Sequence, residues 1–166
     1  MDRSQDARLA DVNCALSFVD ETALHVLKIG VNSGNGATGH SFDAIAKMLA
    51  ELNAPLEFIR VNHTPDYWFP HGVPNLLLPQ NRVATAEVVR EVRANFGLAF
   101  DGDFDRCFAY DEFVTFAPGE YIVGLLSSIF LDNEAGAKVV HDPRVIWNTQ
   151  GIVETKGGVA VQSHTG

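Results

Sequence analysis

The sequence predicts an α/β protein: a mixed β-sheet sandwiched by helices, followed by a partial second α/β domain. Three observations carry that reading. Short apolar runs alternate with stretches of helical period at the spacing of strand–helix–strand units. A Gly/Asn-rich turn, Asn32-Ser-Gly-Asn-Gly-Ala-Thr-Gly39, joins the first apolar run to the helix after it. The runs at 97–100 and 107–110 are separated by six residues, too few for a parallel crossover, so that pair is expected to be antiparallel and the sheet mixed.

Each element follows in order. Residues 4–19 place Leu9, Val12, Leu16 and Val19 at helical spacing, and Asp20 and Glu21 end that helix. Leu27–Val31 reads as the first strand. Residues 41–53 form a helix with Phe42, Ile45, Ala46, Leu49 and Leu52 on one face, and Leu56–Val61 is the second strand. Pro65, Pro70, Pro74 and Pro79 make 62–79 an irregular loop. A helix over 81–95 leads to strands at 97–100 and 107–110. Phe116-Ala-Pro118 marks a boundary. Beyond it lie a helix over 119–131, a strand at 138–141, a helix over 145–154 and a strand at 159–162. The expected division is therefore a linking helix at 1–22, a domain at 23–115 and an incomplete domain at 116–166.

Composition narrows the function. The chain has 166 residues, 46% of them hydrophobic, enough for one full domain and part of another. A net charge of −9 argues against a nucleic-acid binder, which needs clustered Lys and Arg, but leaves room for a small phosphorylated ligand held by one or two arginines. No apolar run approaches the roughly 18 residues of a membrane span. The first residues, Met1-Asp-Arg-Ser-Gln-Asp6, lack the apolar segment of a secretory signal. Two cysteines, Cys14 and Cys107, form no disulfide framework, so a cytoplasmic setting is expected.

The chemistry concentrates in Asp101-Gly-Asp103-Phe-Asp105-Arg106, directly after an apolar strand. Three carboxylates at alternate positions repel one another unless a cation sits among them, and hard oxygens suit magnesium or calcium. Asp101, Asp103, Asp105 and Glu112 match positions 1, 3, 5 and 12 of an EF-hand loop, but position 6 is Arg106 instead of Gly, and the flanks read as strands. Arg106 points instead to an anion with several charges: a metal and a guanidinium together stabilise a transferring phosphoryl group.

This hexapeptide is similar to the metal signature of the α-D-phosphohexomutases, and the chain most resembles the bacterial phosphomannomutases. Val31-Asn-Ser-Gly-Asn-Gly-Ala37 resembles that family's second-domain glycine turn. Thr64-Pro-Asp66, Phe69-Pro70 and Val73-Pro-Asn75 resemble its proline-rich loop, and His141-Asp-Pro-Arg144 with Trp147-Asn-Thr149 resembles the start of its third domain. The resemblance runs from about residue 9 onward. It implies interconversion of mannose 6-phosphate and mannose 1-phosphate through a phosphoserine and a bisphosphorylated hexose. It also implies Mg2+ on Asp101, Asp103 and Asp105, with Arg106 and Arg144 contacting substrate phosphate in catalysis. The family's Ser-His-Asn-Pro-like phosphoserine loop, its Gly-Glu sugar-specificity loop and its fourth domain have no counterpart in these 166 residues, so the chain alone is expected to be inactive. His164 stands where the family has Lys, and Tyr67 where Gly is usual.

Two other functions compete. Gly34, Gly36 and Gly39 satisfy the dinucleotide-binding spacing after a strand and before a helix, which would make an NAD(P) module. The acid that should end the second strand is missing: that strand closes Ile59-Arg60-Val61. A close-packing turn is the simpler account. The third possibility is a metal-binding remnant without catalysis. Cys107 is expected to be a buried core thiol, and Trp68 with Phe69 a packing anchor for the loop. His63, His71, His141 and His164 lack metal-ligand spacing, and His141 is a candidate for the cleft or for a structural role.

Overall fold

The computed structural model describes residues 4–164, so the ends of the two terminal segments, 1–3 and 165–166, lie outside the described residues. The chain divides into two compact units, one running up to Phe116 and the other starting at Ala117.

The first unit is built on a five-stranded mixed sheet. Helix α1 (Ser4–Leu16) precedes β1 (Leu27–Asn32), α2 (Thr38–Glu51), β2 (Leu56–Val61), α3 (Val83–Glu91), β3 (Phe96–Phe100), β4 (Cys107–Asp111) and β5 (Phe116–Ala117). The strand order is β2-β1-β3-β4-β5. β1 runs parallel to β2 and to β3, whereas β4 returns antiparallel to β3 with Phe100 opposite Cys107, as the short connection requires.

Alternation along β1 decides which helix covers which face. Ile29 and Val31 pack with Phe42 and Ala46 of α2. Gly30 and Gly97, paired across β1 and β3, face α3 on the other side. A Cβ on Gly97 would lie 2.5 Å from Val89 Cγ2, so the missing side chains let α3 settle onto the sheet. Helices thus lie on both faces, and the loops after β1, β2 and β3 gather at the carboxyl ends of the parallel strands, where α/β sheets form their sites.

Several boundaries differ from the sequence reading. α1 stops at Leu16, and Asp20 accepts hydrogen bonds from the Thr22 backbone and hydroxyl in the turn that follows. Of its expected apolar stripe, Val12 is buried while Leu9 is 57% exposed and Val19 also faces solvent, because α1 rests on α2 along a narrow contact. α2 starts three residues early, at Thr38, which takes Gly39 into the helix. α3 begins after a 3-10 turn, Pro79–Arg82, and ends at Glu91, since Arg93 turns left-handed (φ 51°) and Ala94 N–H bonds back to the Val89 carbonyl.

The second unit comprises α4 (Gly119–Asn133), β6 (Lys138–His141), α5 (Trp147–Thr155) and β7 (Val159–Gln162). β6 and β7 pair in parallel. Gly124 lets α4 approach Asn148 and Ile152 of α5, and the Asn148 amide donates to the Glu120 carbonyl (2.9 Å). No described helix is long and apolar enough to cross a membrane.

Candidate metal centre

Asp101 leaves the end of β3 and is buried, at 1% exposure, an expensive place for a carboxylate without partners. The loop supplies them. Arg106 N–H donates to Asp101 Oδ1 (3.1 Å), and its Nε lies 2.5 Å from Asp101 Oδ2 and 3.1 Å from Asp105 Oδ1. The Asp101 N–H closes the loop onto the Arg106 carbonyl (3.3 Å). Phe104, in the left-handed region at φ 68°, turns its ring edge-on to Phe100, which anchors the loop tip to the strand below.

Asp103 completes the cluster: one ligand oxygen from each of Asp101, Asp103 and Asp105 falls within 4.8 Å of the others. The mutual proximity shows in the protonation equilibria. Burial pushes the Asp101 carboxyl up, but the hydrogen bond with Asp105, the Arg106 backbone N–H and its guanidinium outweigh it and hold Asp101 below the ordinary range. Asp105 moves the other way: its hydrogen bond with Asp101 raises it, and the charges of Asp101 and Asp103 add to the rise. Compressed carboxylates of this kind favour an incoming cation, and their hard oxygens fit Mg2+ or Ca2+.

The glycine turn holds this loop from one side. Ala37 N–H donates to the Gly102 carbonyl (3.0 Å). A Cβ on Gly36 would sit 2.5 Å from that same oxygen, and one on Gly39 would collide with the His63 carbonyl. The space that a dinucleotide pyrophosphate would need beside these glycines is filled by the protein's own loops. The turn is a packing device, though it packs loops together more than helix on strand.

Other expectations need correction. Cys107 is exposed as a residue at the start of β4, where the strand emerges from the acidic loop, so it lies outside the core, yet burial around its sulfur pushes the thiol up to about 11. Trp68 is 91% exposed and anchors nothing; Phe69 alone packs inward, against Gly102. His141 is buried, with Nδ1 3.1 Å from the Asp142 carbonyl and Nε2 3.3 Å from Gln150, a structural placement. Ser33, His63 and Asp43 stand in line, with His63 Nδ1 3.1 Å from Ser33 Oγ and Nε2 2.9 Å from Asp43 Oδ2, the latter poorly aligned for a hydrogen bond. Ser33 is fully buried, so the trio offers no accessible nucleophile.

The structure therefore brings together Asp101, Asp103, Asp105 and Arg106. Arg144 belongs to the second unit, exposed and paired with Asp142 through Nε and Nη2 at 2.8 Å each. Sequence reasoning missed Arg8 and His40, which line a cavity of about 370 Å³ with Asn35, Tyr67 and Gly102 beside the acidic loop. Neither lies in a motif; only folding places them there.

The family description "Phosphoglucomutase/phosphomannomutase, alpha/beta/alpha domain II" matches residues 9–113, which include the glycine turn and the acidic loop. The chain belongs to this family. A phosphomannomutase of Vibrio cholerae is 50% identical over 155 residues, 93% of this chain and 34% of the relative. A phosphomannomutase of Escherichia coli is 47% identical, covering 100% of this chain and 38% of that protein. The chain thus spans about a third of the length of the relatives it matches. A phosphoglucomutase/phosphomannomutase family protein from Burkholderia thailandensis superposes with a TM-score of 0.78 at 24% identity, over 93% of this chain and 33% of that one. An Aspergillus fumigatus N-acetylphosphoglucosamine mutase in complex with GlcNAc-6P and magnesium superposes at 0.60 and 20% identity, over 93% and 32%. These two superpositions speak for the shared fold.

Proposed function

We propose that this chain carries the metal loop of a phosphomannomutase-type phosphohexomutase, which interconverts mannose 6-phosphate and mannose 1-phosphate through a phosphoserine and a bisphosphorylated hexose. The supporting observation is the convergence of three carboxylates beside Arg106, in a chain half identical to a phosphomannomutase. In this reading 1–22 is a linking segment that contains α1 (Ser4–Leu16), 23–115 the family's second domain and 116–166 part of its third.

Asp101, Asp103 and Asp105 would hold Mg2+, supplying three oxygens of an octahedral shell. Bound there, Mg2+ would offset the charge of a phosphoryl group. Arg106 is half exposed, so its remaining guanidinium N–H groups can face a phosphate while Nε keeps the carboxylates in place. Arg144, 79% exposed, can exchange Asp142 for a substrate phosphate. Asp142 would hold that guanidinium ready between turnovers. The cytoplasm suits the two unpaired thiols, Cys14 and Cys107.

Magnesium titration followed by 1H–15N NMR tests the site, and mannose 1,6-bisphosphate added to the loaded chain tests the function. The amides of 101–106 are expected to shift first, and the bisphosphate to bind only with Mg2+ present. Asp103→Asn should abolish both responses. Earliest shifts at 34–39, or bisphosphate binding indifferent to metal, would contradict the proposal.

A further inference from the structure

Asn35 stands in the glycine turn at φ 57°, nearly buried, with every polar group engaged by the loop after β2. Its N–H donates to the Asn62 carbonyl (2.6 Å), and its carbonyl accepts from Asp66 N–H (2.9 Å). Its side-chain amide donates to the Thr64 carbonyl (2.8 Å), and its Oδ1 meets His71 Nδ1 (2.9 Å). One residue thus ties the turn to positions spread from 62 to 71.

That loop is also the second wall of the acidic loop. A Cβ on Gly102 would lie 3.3 Å from the Phe69 ring and 3.8 Å from Pro74. On the opposite side the Gly102 carbonyl is held by Ala37 N–H, with Gly36 packed against it. Gly102 is the residue between Asp101 and Asp103, so the separation of those two carboxylates depends on how tightly it is gripped. Asn35 bonds one jaw of the grip to the other.

We infer that Asn35 is a positioning residue for the metal loop: its side chain holds the 62–71 loop, and so Phe69, against Gly102 at the spacing the carboxylates need. The inference rests on the proposed metal site. Outer-shell groups that orient metal ligands commonly change affinity tenfold or more when removed.

Asn35→Gly separates this role from ordinary folding. Glycine accepts the left-handed backbone and keeps both main-chain bonds, while the two side-chain bonds vanish. Mn2+ binding read by electron paramagnetic resonance, with Mg2+ as competitor, is the probe. We expect about tenfold weaker Mn2+ binding in a chain that still unfolds cooperatively, with a lowered thermal midpoint from the two lost bonds. Asn53→Gly, at the same φ of 57° after α2, serves as control and should bind as the parent does. Should Asn35→Gly fail to fold, His71→Ala, which deletes one of the two bonds, should lower the affinity severalfold. Parent-like affinity in a folded Asn35→Gly, or an equal loss in Asn53→Gly, would overturn the inference. A parent chain that binds no Mn2+ would remove the metal reading itself, and this inference with it.

Discussion

Arg106 Nε lies 2.5 Å from Asp101 Oδ2, so a guanidinium neutralises the most buried carboxylate of the acidic loop from only five residues away. The same nitrogen reaches Asp105 at 3.1 Å. A cation from the chain thereby compensates charges that would otherwise expel one another.

Arg106→Met should therefore destabilise the metal-free protein and make it depend on metal. The expected result is a lower thermal midpoint without Mg2+ and a larger Mg2+-induced rise than the parent shows, measured by calorimetry or circular dichroism. Equal Mg2+ responses in the two proteins would mean that Arg106 and the metal do not share these carboxylates.

Thr85→Val tests the floor beneath the glycine turn. Thr85 is fully buried, and its Oγ1 accepts from the Asn32 amide at 3.0 Å; Asn32 Oδ1 in turn accepts from Gly34 N–H at 2.9 Å. Valine keeps the shape and strands the Asn32 amide without a partner. A loss of about 1–3 kcal/mol in urea unfolding is expected. Asn32→Leu added to Thr85→Val should recover nothing, because the buried Gly34 N–H then loses its acceptor in place of the stranded amide.

The second unit carries a pH signature. Hydrogen bonds from the Arg144 guanidinium and backbone N–H lower the Asp142 carboxyl from its ordinary 3.8 to about 2. The sign follows from linkage: a depressed carboxyl favours the folded state fully above its unfolded value, and that contribution disappears as pH falls from about 4 through about 2. Carboxyl-carbon NMR should place the midpoint near the lower value, and Arg144→Gln should return it toward the ordinary range. An unmoved midpoint would show that the pair does not persist in solution.

Neither NAD nor NADP should bind at Gly34, Gly36 and Gly39. A working dinucleotide site of micromolar strength releases on the order of 8 kcal/mol of free energy, well within reach of isothermal titration calorimetry. Saturable heat near one-to-one stoichiometry, lost in Gly36→Ala, would revive the cofactor reading. Gly36→Ala should in any case cost about 1–3 kcal/mol of stability, because its Cβ would press on the Gly102 carbonyl.

Much of this molecule was legible in the chain. Strand β2 and the pair β6 and β7 fall where apolar runs of strand length predict, and six residues between β3 and β4 dictate an antiparallel return. The acidic loop was visible because local spacing alone brings Asp101, Asp103 and Asp105 together on one short turn. Other features depended on contacts distant in sequence. Nothing local to Leu9 says that its helix would find too little surface to bury it, nor to Val19 that the helix would stop before it. Cys107 carries no sign that it would stand at the rim of the sheet instead of in the core, and Trp68 none that its neighbour Phe69 takes the packing role. The clamp of Asn35 arises where loops meet at the ends of parallel strands, and the cavity beside it is completed by Arg8 of α1 and His40 of α2. Local pattern determined the elements and the charge cluster, because periodicity and like-charge spacing act over a few residues. Tertiary structure decided burial and support, because those depend on which distant backbone arrives alongside.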